Sequence, residues 1–110
     1  MNNKPQIPIL YGEESEILAK EAEAGIEEEG LSSLKKQVLL ENAYHLAKMA
    51  SGMSLLGAGI GIDGKKGVLY VEKLQQYNPL YQEDKMTEEK ARNLGANAAR
   101  YVKGSPLKGR

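Results

Sequence analysis

The apolar positions of this chain switch between two rhythms, and the switches mark an alternation of strands and helices. Ile7-Pro8-Ile9-Leu10-Tyr11 is an apolar run of strand length, closed by Gly12. A proline inside a strand removes a ladder donor, so Pro8 predicts an edge position for it. Glu13 to Glu29 follows as a helix, with Glu13, Glu14 and Glu16 favourably placed against its positive N-terminus. An advance of ~100° per residue puts Leu18, Ala22, Gly25 and Ile26 on one face, the predicted core stripe. Ile17, Glu21, Ala24 and Glu28 form a second stripe turned well away from the first. Glu27 points to the far side, and Glu29 falls back near the core stripe. Gly30 has the identity expected just after a helix end.

Leu31 to Val38 has no clean alternation and predicts a weak strand at a sheet edge, although Ser33 could instead cap a helix. Ala43, Leu46, Ala47 and Ala50 recur at helical spacing within a helix over Glu41 to Ser51, which Gly52 can close. Leu55 to Ile62 reads as a strand carrying Gly57, Gly59 and Gly61 at period two, a face that lets a helix approach closely. Asp63-Gly64 with Lys65-Lys66 then predicts a hairpin turn, and Val68 to Val71 the return strand. Pro79-Leu80-Tyr81 is a candidate for one more short strand. The last helix starts at Thr87, buries Ala91, Leu94, Ala98 and Val102, and stops at Gly104, ahead of Pro106. This order predicts an α/β sheet with helices on its faces.

Composition narrows the picture. With 110 residues the chain has the length of one domain, and residues 1–110 are read as such, with an ordered core over about 7–104 and flexible tails at 1–6 and 105–110. There is no Trp and no Phe, against six Tyr and 12 Gly, so the core must form by close backbone approach rather than by bulk. A margin that thin would be relieved by a partner chain. The balance of 15 basic and 15 acidic residues argues against nucleic acid, whose proteins carry a basic face. No apolar run approaches the ~20 residues of a membrane span, and no apolar leader is visible at Met1–Pro5. Cysteine is absent, which excludes disulfides, thiolate nucleophiles and cysteine metal sites. A cytoplasmic address follows as an expectation.

The charges are nevertheless segregated. Eight acidic residues lie between Glu13 and Glu29 against the single Lys20, while Arg100 to Arg110 carries four basic residues and no acid. Blocks of this kind are either solvated faces or docking surfaces. The end of the first helix, Gly25-Ile26-Glu27-Glu28-Glu29-Gly30, breaks a local rule, because a helix C-terminus is partially negative and three carboxylates are unfavourable there. They are either solvated or await a cation or a basic partner. A hard cation such as Mg²⁺ takes oxygen ligands, often only one or two carboxylates from a chain, so any metal here needs ligands from another polypeptide.

Other chemistry is poorly supported. Gly59-Ile60-Gly61-Ile62-Asp63-Gly64 matches G-x-G-x-x-G, but a strand follows it where a dinucleotide site needs a helix N-terminus. No G-x-x-x-x-G-K-[ST] loop and no nucleophile-elbow serine is present. His45 stands alone inside a helix, with no second histidine to join it.

Three blocks carry a resemblance. Gly25-Ile26-Glu27-Glu28-Glu29-Gly30, then Gly57-Ala58-Gly59-Ile60, then the run from Leu94 to Leu107 (Leu-Gly-Ala-Asn-Ala-Ala-Arg-Tyr-Val-Lys-Gly-Ser-Pro-Leu) resemble the small subunit of diol/glycerol dehydratase reactivase, in order and spacing. The likeness runs from about Ile7 to Leu107, and its last block is the most specific. It implies a three-layer α/β/α fold around a mixed five-stranded sheet of order 2-1-3-4-5, strand 4 antiparallel, with Pro79–Gln82 as a strand, as in the dehydratase's own medium subunit. It implies a non-catalytic subunit that pairs with a larger, ATP-hydrolysing, chaperone-like subunit as a two-plus-two heterotetramer. Such a complex releases damaged cobalamin from inactivated adenosylcobalamin-dependent dehydratase, the small subunit leaving so that the dehydratase can dock. It also implies that Glu28, by motif position, ligates a divalent cation (Mg²⁺) shared with the large subunit, and the second helical stripe, Ile17, Glu21, Ala24 and Glu28, is then the expected partner interface. ATP or ADP belongs to the large subunit, and a bacterial microcompartment is an alternative address. Where relatives tend to have a proline-containing strand, this chain has Leu31-Ser32-Ser33. Two other readings stay open: a stand-alone small-molecule or nucleotide-binding domain, from the glycine-rich stretch, and a subunit of the dehydratase itself.

Overall fold

The computed structural model describes residues 5–39 and 42–109. Its elements are β1 (Gln6–Tyr11), α1 (Glu16–Glu28), β2 (Ser32–Gln37), α2 (Ala43–Met53), β3 (Ala58–Asp63), β4 (Lys66–Val71), β5 (Tyr81–Glu83) and α3 (Glu88–Lys103). The five strands form one sheet in the order β2-β1-β3-β4-β5, in which only β4 runs against the others. This is the order and polarity implied by the resemblance.

Topology assigns the helices to faces. The chain leaves β1 for β2 on one side, then crosses back over β1 to reach β3. Two crossovers of the same hand running in opposite directions must lie on opposite faces. Accordingly α1 and α3 pack on one face and α2 on the other. The first face buries Ile7, Ile9 and Tyr11 of β1, Ile60 and Ile62 of β3, and Leu69 and Val71 of β4 against Ala22, Ile26, Leu94 and Ala98. On the second face, Leu10 packs with Leu46 and Ala50, and Val68 and Tyr70 with Ala43 and Ala47. The period-two alternation thus serves two cores.

Beside these aliphatic side chains, backbones come into direct contact at four glycines, the close approach that the composition predicts. A Cβ at Gly59 would collide with Ser51 N, and one at Gly61 with Ala43 O, so α2 lies directly on β3. A Cβ at Gly95 would collide with Ala22 O, and one at Gly25 with Arg92 O. The two glycines make a reciprocal crossing of α1 and α3.

Several boundaries differ from the sequence expectation. Pro8 sits in an interior strand, not at an edge. Gln6 O accepts from Ser54 Oγ and Gly12 N donates to Ile62 O, so even-numbered residues of β1 point their backbone groups toward β3. The β1–β3 ladder begins only at Ile9↔Ile60, and the donor missing at Pro8 therefore has no ladder to break. The first helix is preceded by a 3-10 turn at Glu13–Ser15, and the hydroxyl of the buried Ser15 donates to Gly64 O at 2.9 Å. Ala19 rather than Leu18 is fully buried on α1. Gly52 does not close α2, which runs on to Met53 with Ser54 as its C-cap; Glu41 lies outside the described residues. Leu55 and Gly57 belong to a turn, with Leu55 90% exposed and Gly57 at φ +70°, so the row facing α2 is Gly59 and Gly61 alone. On α3, Val102 is only partly buried.

The β3–β4 turn follows Asp63↔Lys66 pairing, with positive φ at Gly64 but not at Lys65. Glycine in the first central position suits a II′ hairpin turn. The fifth strand pairs from Tyr81 rather than Pro79. Before it, Asn78 acts as a surrogate strand residue: Oδ1 accepts from Val71 N at 2.8 Å and Nδ2 donates to Val71 O at 2.7 Å. After Gly104 the chain folds back over α3, where Lys108 N donates to the buried Asn97 Oδ1 at 2.6 Å and Arg100 Nη1 to Pro106 O at 3.2 Å.

Candidate partner interface

The acidic end of α1 closes in a Schellman arrangement. Gly30, at φ +86°, donates to Glu27 O and Leu31 N donates to Ile26 O. Leu31 and Ile26 both join the core on that face, the apolar contact that usually accompanies this cap. The helix therefore ends rigidly, and its last three glutamates leave it in three directions.

Glu29 turns toward α3. Arg100 Nε donates to Glu29 Oε2 at 2.9 Å, and Lys103 Nζ donates to Glu29 Oε1 at 3.1 Å. Lys103 Nζ also donates to the Glu29 carbonyl at 2.7 Å, placing a cation on the negative end of the helix. These bonds, from Arg100 first and Lys103 second, hold the Glu29 carboxyl below its ordinary pKa against a smaller opposing effect of desolvation. Glu27 is exposed.

Glu28 joins a cluster on the outer side of the α1–α3 crossing. Arg92 Nη1 donates to Glu28 Oε2 at 3.1 Å, while Arg92 Nε and Nη2 both lie 3.0 Å from Glu21 Oε1. One guanidinium therefore bridges two carboxylates seven residues apart on α1, the spacing of two helical turns. Ala24 stands between them and is half-buried; Ile17, one further turn back, is 63% exposed. The second stripe of the sequence is thus brought together on one face, with an apolar side chain at one end and a half-exposed carboxylate at the other.

This face fits a divalent cation as one ligand does, and no more. Glu28 is an oxygen donor suited to a hard cation, and among the described residues its Oε1 makes no hydrogen bond. Among the same residues no three His, Cys, Asp or Glu side chains converge to hold a metal. Elsewhere, a hollow of about 570 Å³ lies at the carboxyl ends of β1, β2 and β3, with Leu39 and Leu46 among its apolar lining and Glu13, Glu14 and Asp63 beside them. His45 is on the exposed side of α2, edge-on to Tyr44 with ring centroids 6.2 Å apart. The G-x-G-x-x-G run is β3 and its turn, covered by α2 and followed by β4. Among the described residues no helix is long and apolar enough to cross a membrane.

Sequence reasoning missed the cations. It left the glutamates solvated or waiting for an outside partner, whereas Arg92, Arg100 and Lys103 arrive from α3, 64 to 74 residues away. Part of the signal was present, since the acidic block at 13–29 and the basic tail beginning at Arg100 are complementary. Arg92 lies outside that tail.

The chain as a whole is similar to known proteins. The profile of the family described as dehydratase medium subunit matches residues 4–108. The propanediol dehydratase-reactivating factor small subunit of Citrobacter freundii is 36% identical over 88 residues, covering 76% of this chain and 73% of that protein. The structure of diol dehydratase-reactivating factor complexed with ADP and Mg²⁺ contains a chain that is 31% identical, with a TM-score of 0.85 and coverage of 96% of this chain and 98% of that one. A glycerol dehydratase reactivase chain is 26% identical, also with a TM-score of 0.85, over 96% and 97% of the two chains.

Proposed function

Because the chain belongs to the dehydratase medium-subunit family, among the small subunits of dehydratase-reactivating factors, we propose that it is the non-catalytic half of an ATP-dependent, chaperone-like reactivase. The larger partner carries the nucleotide and its hydrolysis; this chain docks on it through Ile17, Glu21, Ala24 and Glu28. Glu28 gives one carboxylate oxygen to a divalent cation whose other ligands come from the partner. Two of each subunit make the assembly. The small subunit leaves when inactivated dehydratase arrives, and the resemblance of the two folds is what makes that exchange possible: the departing chain and the dehydratase's medium subunit offer similar surfaces. Damaged cobalamin is then released from the dehydratase.

The observation that carries this reading is the α1 face itself. Ile17 is apolar and 63% exposed, in line with a carboxylate that keeps an uncommitted oxygen. An isolated domain gains nothing from that combination, whereas a partner surface would bury the one and share a cation with the other. Co-expression with a reactivating-factor large subunit tests it: the two chains are expected to purify together, and Ile17→Asp to release this chain. Recovery of the Ile17→Asp chain in full yield would move the interface elsewhere.

The hollow at the carboxyl ends of β1–β3 favours a second reading, a stand-alone small-molecule domain, because ligands of open α/β sheets settle at that position. Calorimetry of the isolated chain with ATP, ADP and cobalamin separates the two. Saturable binding without a partner would support the second.

A further inference from the structure

We infer that Arg92 is a built-in counter-ion that keeps the Glu28 site closed to divalent cations until the partner brings its own ligands. The inference rests on the reading of Glu28 as a cation ligand and concerns what the isolated subunit does about it. Gly25 has no side chain, so the backbone of α3 at Arg92 lies directly against α1. The arginine must therefore leave the crossing along the outer side of α1, between Glu21 and Glu28. Ala24, the residue between those glutamates, has no side chain beyond Cβ to obstruct it. The guanidinium then lies between the two carboxylates, bonded at 3.0 Å to Glu21 Oε1 and at 3.1 Å to Glu28 Oε2.

Two consequences follow. The first is aim: with Oε2 fixed by Arg92, the other oxygen of Glu28 is the one left to face a partner. The second is affinity. Arginine keeps its charge at any accessible pH, so a cation approaching the pair meets a fixed positive charge a few ångströms away. Side-chain exposures of 45% for Arg92, 25% for Glu21 and 48% for Glu28 leave that repulsion partly screened but not abolished. Without the guanidinium, Glu21 and Glu28 become a two-carboxylate cation site on a single helix face. Arg92 is a positioning residue, and it makes cation binding conditional on assembly.

Mn²⁺, as a paramagnetic stand-in for Mg²⁺, titrated into the isolated chain and followed by the loss of its free-ion signal, reads this directly. Arg92→Gln is expected to bind Mn²⁺ about tenfold more tightly than wild type, or better. Glu28→Gln in that background is expected to restore the wild-type value, and Arg92→Lys, which retains the charge, to stay at it. Should Arg92→Gln lose its helical circular dichroism, Arg92→Met, with an apolar stem, takes its place. An uncharged variant no tighter than wild type overturns the role of Arg92. The reading beneath it is tested separately by Glu28→Gln in the wild-type pair. If that change abolishes metal-dependent pairing while Arg92→Gln leaves Mn²⁺ binding unaltered, Arg92 is an ordinary surface clamp and Glu28 stands.

Discussion

At the scale of single residues, the three glutamates that end α1 have three different fates: Glu27 is exposed, Glu28 shares one oxygen with Arg92, and Glu29 is clasped by α3. Glu29 is committed to its own chain. Its carboxyl is held below its ordinary pKa by Arg100 and Lys103, so the unfolded state takes up that proton first as pH falls. The stability it contributes is fully present above the unfolded value and is lost as pH drops through the folded one. Glu29→Gln is expected to lower thermal stability at neutral pH and to flatten the acid limb of a melting-temperature profile. An acid limb as steep as wild type would show that the clasp is not what titrates. Glu28 is only half committed, through one oxygen, to Arg92. Helical spacing alone separated Glu28 from Glu27 and Glu29 and set it beside Ile17, Glu21 and Ala24. Arg92 was not legible in that way, because nothing local in a sequence announces a contact across 64 residues.

At the scale of elements, legibility followed local determination. The span of α3 was readable at both ends because Thr87 accepts from Lys90 N and Gly104 adopts φ +77°, signals carried within a few residues of the boundary. The hairpin after β3 was readable for the same reason. The second strand, Ser-Ser-Leu-Lys-Lys-Gln, was only weakly visible because as an edge strand it leaves Leu34, Lys36 and Gln37 exposed and shows no alternation. Its pairing with β1 creates it. The boundary of β5 depends on Asn78 bonding to Val71, a contact that propensity does not encode. The meeting of α1 and α3 depends on Gly25 and Gly95, each facing the other helix's backbone. Gly95→Ala must push the helices apart, and a cost of about 1–3 kcal/mol is expected. In urea this should appear as a lower midpoint with an unchanged slope. A midpoint equal to wild type would mean that the crossing yields easily. Because Arg92 is set by the same crossing, this variant is also expected to loosen the Glu21–Arg92–Glu28 bridge.

At the scale of the whole molecule, the sheet shares its fold with dehydratase reactivase chains and carries two unlike helical faces. The α2 face closes tightly on Gly59 and Gly61, whereas the α1 face crosses α3 and still presents Ile17, Glu21, Ala24 and Glu28 outward. The close backbone approach predicted from composition is real at Gly25, Gly59, Gly61 and Gly95, with isoleucine, leucine and valine filling the space between the layers. The central claim is that Glu28 links the two subunits through a shared cation. Its most direct test is a titration of this chain onto a reactivating-factor large subunit, with Mg²⁺ and then with chelator, for wild type and for Glu28→Gln. Wild-type pairing is expected to weaken at least about tenfold on chelation, a loss of roughly 1.4 kcal/mol, and Glu28→Gln to be equally weak with or without Mg²⁺. Pairing that is indifferent to both the chelator and the substitution would contradict the account.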